Sequence, residues 1–324
     1  MTKHTIIPIA GGKGGIGKSL IAANLGIALA SKGYKTVVVD LDLGGSNLHT
    51  CLGLPNKFPG LGDFLKAHTV RFEDLLYETH WENLKIIPGD GKTPFMANIT
   101  YAQKLNLIQG IKSIDADFIL LDLGAGTTYN TLDFYRTSQY GLVITTPEKH
   151  SILNMLTFLK NVVYRSIDRV LIKKWDAREI FHQACSRPIE QPQITLQELT
   201  EKINQIDAET AELVKGICNH YRPRLILNMA NHPNELKSLI EANNACKNIL
   251  SVDCDFFGFI FQDENIRDSF IKGVPFITTY PDSTATKNIH QLANDIEKWW
   301  HKTLKNTDQW LMKQTTHFFE NNPR

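Results

Sequence analysis

The sequence predicts an α/β fold: a mostly parallel twisted sheet covered by helices on both faces. Three observations predict it. Seven short apolar runs punctuate the 324 residues. Most of these runs lack the apolar–polar alternation of a half-exposed strand, so they belong in a sheet buried on both sides. Longer helical patterns separate them, and strand–helix–strand repetition demands right-handed parallel crossovers.

The elements follow in order. "TIIPIA" (5–10) is the first strand, expected at the sheet centre. Pro8 cannot donate to a ladder, so it is expected near the strand's start or at a local irregularity. "GGKGGIGKSL" (11–20) leads into a helix over 18–32, where Ile21, Leu25, Ala28 and Leu29 form an apolar stripe and Gly33 supplies the stop. Strands follow at "KTVVVD" (35–40), "LKIIP" (84–88), "DFILLD" (117–122) and "GLVITT" (141–146), with helices over 101–114 and 150–164. Residues 165–222 break the rhythm: they are polar, helical in pattern and interrupted by "SRPIEQPQ" (186–193). "RLILNM" (224–229) and "FFGFIF" (256–261) resume the strands, and a last helix runs over 286–304. The expected organisation is one domain over 1–304, with a helical insertion at about 165–222, and an amphipathic tail over 305–324.

Bulk properties exclude several classes. Lys and Arg number 35 against 34 Asp and Glu, a net charge of +1, so no global field holds the chain on nucleic acid or anionic lipid. There is no specific nucleic-acid signal. Five scattered cysteines without a CxxC pair form neither a disulfide framework nor a zinc site, which points to a reducing cytoplasm. No apolar run is long enough to cross a membrane, and the N-terminus carries no signal-peptide pattern.

The chemistry gathers at three strand ends. Gly12 to Ser19 satisfies G-x-x-x-x-G-K-[ST] between a strand and a helix, the pattern of a phosphate-binding loop. Its glycines let backbone N–H groups face a phosphate, and the helix N-terminus adds a favourable dipole. Gly12, Lys13, Gly14, Gly15, Ile16, Gly17, Lys18, Ser19 and Leu20 are therefore the expected ATP-binding segment. Lys18 reaches the β- and γ-phosphates and the Ser19 hydroxyl ligates Mg²⁺. Asp40 and Asp42 stand just past the second strand, and Asp122 ends "DFILLD", where carboxylates face the ligand crevice and the Mg²⁺ shell.

These motifs together resemble the MinD/ParA family of deviant Walker A ATPases, a branch of the P-loop NTPase fold. "KGGIGKS", with its extra lysine, resembles the family's signature loop. "DLDLGGSNLH" (40–49) and "DLGAGTTYNTLDF" (122–134) resemble switches I and II of the MinD and FlhG branch. "VITTPEKHSILN" (143–154) and "YPDSTATKNIHQLA" (280–293) are similar to later segments of that branch. The resemblance implies that Lys13 crosses to a partner subunit's nucleotide, giving an ATP-dependent homodimer. It implies that Asp42 orients the attacking water, that Asp40, Asp42 and Asp122 support Mg²⁺ together with Ser19, partly through water, and that Asn228, Pro281 and Asp282 contact the base. The implied function is a switch ATPase, hydrolysing ATP to ADP and phosphate, that positions or regulates a division site, a flagellum or another polar assembly. A ParA-like partitioning ATPase and an ATP-dependent synthetase of the same fold are the alternatives.

Two regions are the expected partner surfaces. The insertion carries Arg165, Arg169, Lys173, Lys174 and Arg178, a place for a protein partner of unknown identity. In the tail, Trp310, Leu311, Phe318 and Phe319 form an apolar face, expected either to pack on the chain's own domain or to make peripheral contact with the inner face of the cell membrane.

Overall fold

Eight strands form one sheet in the computed structural model, which describes residues 4–66, 70–89, 99–186 and 194–322. They are β1 (Thr5–Ala10), β2 (Thr36–Leu41), β3 (Tyr77–Glu78), β4 (Leu84–Ile87), β5 (Phe118–Leu123), β6 (Leu142–Thr145), β7 (Arg224–Ala230) and β8 (Asp255–Phe261). Their order is β3-β4-β2-β5-β1-β6-β7-β8. Every pairing is parallel except that of β3 with β4, a two-residue edge strand that no apolar run announces. Pro8 is the fourth of six residues in β1, not near its start. Its missing donor is tolerated because the β1–β6 ladder begins only at Ile9.

The helices are α1 (Lys18–Ser31), α2 (Leu48–Cys51), α3 (Leu61–Lys66), α4 (Tyr101–Ser113), α5 (Tyr129–Tyr135), α6 (Lys149–Val170), α7 (Trp175–Cys185), α8 (Leu196–Asn204), α9 (Ala208–His220), α10 (Leu236–Leu250), α11 (Glu264–Lys272), α12 (Phe276–Thr279), α13 (Thr284–Trp299) and α14 (Thr307–Asn321). They split the core into two layers. Val37, Val39, Ile119, Leu121, Leu225 and Leu227 point into one, and Val38, Leu120, Ile144 and Ile226 into the other. Both faces of each central strand are thus apolar, which is why the runs show no alternation.

α1 differs from its expected stripe. Residues Ile21 to Ala30 are all buried, because α1 lies between the sheet and α13. Its approach to β2 is close: a Cβ on Gly26 would meet Val38 Cγ1 at 2.7 Å. Gly33, at φ 90°, ends the helix as expected and donates to Ala30 O at 2.9 Å.

Between α6 and β7, α7, α8 and α9 pack into the same core layer through Phe181, Leu199, Ile203 and Val214. Three of the insertion's five cations have carboxylate partners: Arg165 with Asp133, Lys174 with Asp207 and Arg178 with Asp168.

The last expected helix stops early. α13 ends at Trp299, and α14 starts only after Asn306, in a left-handed conformation at φ 52°. Leu304 packs on one core layer and Leu311 on the other, either side of the break between the two helices. α14 lies along the edge strand β8. Leu311 is buried, and Phe318 and Phe319 each stack on Phe261 with ring centroids 5.7 Å apart. Burying Leu311 alone stabilises the docked helix by roughly 2 kcal/mol. Of the tail's apolar residues, Trp310 remains the exposed one, at 37%. No helix among the described residues is long and apolar enough to cross a membrane.

Candidate nucleotide site

The loop between β1 and α1 turns on positions that only glycine fits. Gly17, the N-cap of α1, sits at φ 89°, and a Cβ there would lie 2.6 Å from Asn228 Nδ2. A Cβ on Gly12 would meet the Asn154 carbonyl oxygen at 2.1 Å, so Gly12 seats the loop on α6. Ile16 is buried in the α1-side core and anchors the loop from below. Gly14 and Gly15 are exposed and face the cavity. The first turn of α1 contains no acidic residue, which leaves its positive end uncompensated for an anion.

Register explains the charge beneath this loop. Asp40 and Asp122 are directly paired across β2 and β5. Each is the neighbour of a residue pointing into the far core layer, so both carboxylates point toward α1. Burial pushes the Asp122 carboxyl well above its usual range and the Asp40 charge adds to this, while the Ser19 hydroxyl and Lys18 act against it. Ser19 stands near enough to favour the charged form, yet neither Asp122 oxygen makes a hydrogen bond of full geometry among the described residues. Lys18 is 7% exposed. Burial lowers its pKa, and Asp122 and Asp42 oppose that effect.

Asp40 does something else. Its Oδ1 accepts the Asp42 N–H at 3.1 Å, and its Oδ2 accepts the Ser46 hydroxyl at 2.6 Å and the Leu48 N–H at 3.1 Å. Burial raises its pKa to about 6 against these three donors. Both oxygens are committed to folding the 42–48 loop, so Asp40 braces that loop, whereas its strand neighbour Asp122 has no such partners. Asp42 lies just past the end of β2 and faces the other switch: a Cβ on Gly124 would be 3.1 Å from its Oδ1.

A cavity of about 530 Å³ opens over these groups, lined by Gly14, Gly15, Gly17, Lys18, Ser19, Leu20, Asp42 and Asn228 on the loop side. Its far wall was not anticipated from sequence: Met229, Gln262, Asp263, Ile266, Arg267 and Phe270. Pro281 and Asp282 are exposed and do not line the cavity. They connect to its wall indirectly, through Asp263, which caps α11 and accepts the Ala285 N–H at 2.9 Å. Asn228 lines the cavity, but its Nδ2 donates to the Ile16 carbonyl at 2.8 Å, so it braces the phosphate loop. Beside it Met229 is left-handed, at φ 58°, where the β7–β8 register slips. Such a bulge re-aims neighbouring side chains. For Asn228 the sequence signal was an asparagine closing the apolar run LILN; the α11 wall gave none, because α11 is polar and buries only Ser269.

Lys13 stands apart. It is half-buried and makes no ion pair among the described residues. Glu148 is near it: the Thr146 hydroxyl chiefly, and Lys13 in a smaller part, hold the Glu148 carboxyl below its usual range. The arrangement as a whole combines a phosphate cradle, a buried lysine, an open buried carboxylate beside a serine, and a second carboxylate at the mouth. These parts suit phosphate binding and Mg²⁺-assisted phosphoryl transfer.

Comparison with known proteins agrees with this geometry. The profile of the CobQ/CobB/MinD/ParA nucleotide binding domain matches residues 7–276. A Chlorella vulgaris protein named after the septum site-determining MinD is 32% identical over 144 residues, 44% of this chain and 51% of that one. The chain thus spans about half the length of the first such relatives. The antiactivator FleN of Pseudomonas aeruginosa is 24% identical over 297 residues, covering 91% of this chain and 86% of FleN. The septum site-determining MinD of Pyrococcus horikoshii, solved with Mg-ADP, superposes with a TM-score of 0.58 at 22% identity, covering 92% of this chain and 98% of that one. At that identity the likeness is one of fold.

Proposed function

Because the chain belongs to the CobQ/CobB/MinD/ParA family of nucleotide-binding domains, which includes ATPases, we propose that it is a switch ATPase. It dimerises on ATP, hydrolyses it to ADP and phosphate, and so positions or regulates a cellular assembly. The near-full-length match to an antiactivator supports this regulatory reading over a partitioning ATPase or a synthetase. In this mechanism the loop N–H groups and Lys18 hold the β- and γ-phosphates. Ser19 and Asp122 would hold Mg²⁺, directly or through water, and the ion would neutralise phosphate charge there; the unsatisfied oxygens of Asp122 fit that role. Asp42, aimed across at Gly124, orients the attacking water.

One observation carries the dimer. Lys18 already serves the nucleotide of its own subunit, and Lys13, although Glu148 is near, makes no ion pair among the described residues. A second cation at the loop mouth makes sense when the nucleotide it neutralises belongs to another copy. Lys13→Ala is expected to bind ATP normally yet stay monomeric and lose turnover by about 100-fold or more. Light scattering with ATP and a phosphate-release assay check this. A monomeric Lys13→Ala protein with full turnover would sink the reading.

A further inference from the structure

Away from the nucleotide cavity, α4, α5 and α6 build a compact surface of tyrosine and arginine. Tyr129, the first residue of α5, is 68% exposed, and Tyr101, the first of α4, is 51% exposed. Both are large aromatic rings left in water. Arg165 lies over the Tyr129 ring at 4.3 Å. Arg169, one helical turn on, lies over Tyr101 at 5.3 Å and donates to its hydroxyl at 2.7 Å. Arg169 makes no ion pair among the described residues.

The charge below is unbalanced. Asp133 is buried and accepts from Arg165 at both oxygens, at 3.1 and 3.2 Å, from Arg136 at 3.1 Å, and pairs with Lys104 at 2.5 Å. Burial pushes its carboxyl up, but the Arg165 and Lys104 hydrogen bonds outweigh that and hold it below its usual range. Asp168 pairs with Arg178. Four cations, Lys104, Arg136, Arg165 and Arg178, therefore share two carboxylates, and Arg169 stands beside them with neither. Three of those cations are fixed around one carboxylate, so the field they leave is pre-organised.

We propose that this face docks an acidic protein segment: carboxylates against Arg169 and the positive field behind it, and an apolar or aromatic side chain against the two tyrosine rings. Tyrosine and arginine are the residues most enriched at energetic centres of protein interfaces. Nucleic acid fits less well. A phosphate backbone rewards a row of free cations, whereas Arg165, Lys174 and Arg178 of the basic stripe are already tied to carboxylates. The location suits control of the site, because Tyr129 follows the cavity-lining Ala125 by only one turn of loop.

The test uses the full chain and a short fluorescent peptide of glutamates around a central Leu-Phe pair, read by anisotropy at physiological salt. A lysine peptide with the same pair and a short DNA duplex are the controls. Saturable binding of the acidic peptide is expected, weakened about tenfold by Arg169→Glu and by Tyr129→Ala. Arg169→Glu and Tyr129→Ala change groups at the surface, and far-ultraviolet melts verify that both variants fold. Absence of saturable binding, unchanged binding by both folded variants, or tighter binding of the duplex than of the peptide overturns the proposal.

Discussion

The two ends of the sheet both bury charge, and they treat it differently. At the carboxyl ends of the strands, Lys18 lines a cavity and Asp122 lies fully buried behind it, with neither carboxylate oxygen in a full hydrogen bond among the described residues. At the amino ends, Arg224 begins β7 fully buried. Its guanidinium is boxed by Tyr140, Phe257 and Trp300 at 4.7, 4.3 and 4.6 Å, and Nη2 donates to the Trp299 and Lys302 carbonyls. Asp255 lies 3.9 Å from it and accepts from Arg222 at 2.9 Å. Nε and Nη1 of Arg224 also lack hydrogen bonds, but rings cover them in place of a cavity. One charge is held by the fold's own carbon and carbonyl groups, so it ties α13 to the sheet. The other is buried without full hydrogen bonds, a desolvation cost that a cation beside it would offset.

Substitution at each end should therefore act in opposite directions. The largest effect is expected at the amino end. Arg224→Leu leaves Asp255 with Arg222 alone and unpairs the buried Trp299 and Lys302 carbonyls, and should cost about 3 kcal/mol in urea unfolding, while the remaining folded protein turns over ATP normally. An equally stable Arg224→Leu protein would erase the contrast.

At the carboxyl end the sign reverses. Asp122→Asn should abolish Mg²⁺-dependent turnover yet stabilise the nucleotide-free protein. The Asp122 carboxyl has a raised folded pKa, so its own contribution to wild-type stability is greatest below the unfolded carboxylate pKa, near 4, and falls as pH rises toward the folded value. Each pH unit in that window is worth about 1.4 kcal/mol. The variant lacks this loss, so calorimetry of both proteins without nucleotide should show a gap that is small near pH 4 and widens upward. A gap that narrows with rising pH would contradict the reading of Asp122.

The smallest effect sharpens the picture within the site. Asn228→Ala removes the hydrogen bond to Ile16, worth about 1 kcal/mol. Nucleotide affinity should fall about fivefold for ATP and for inorganic tripolyphosphate alike, as measured by calorimetric titration. A loss confined to ATP would instead assign Asn228 to the base.

Much of this molecule is legible in linear form where chemistry is local. The strand at 118–123, the loop at 12–19 and the stop at Gly33 each follow from a few adjacent residues, because backbone period, glycine conformations and helix ends are local matters. The reading failed where partners come from afar. Asn228 meets Ile16 across 212 residues of chain, and Asp40, legible as a site carboxylate, turned its oxygens to Ser46 and Leu48. The base-side wall on α11 carries no pattern at all.

The sequence by itself determined a parallel sheet with a phosphate loop at its centre, a surplus lysine in that loop, and carboxylates at the mouths of β2 and β5. Only the tertiary structure decided which carboxylate stays open, which cations of the 165–178 stripe are neutralised, and that the tail helix docks on β8. Composition and spacing state which groups exist, whereas burial and hydrogen-bond partners, which set their charge and availability, exist only once distant segments meet.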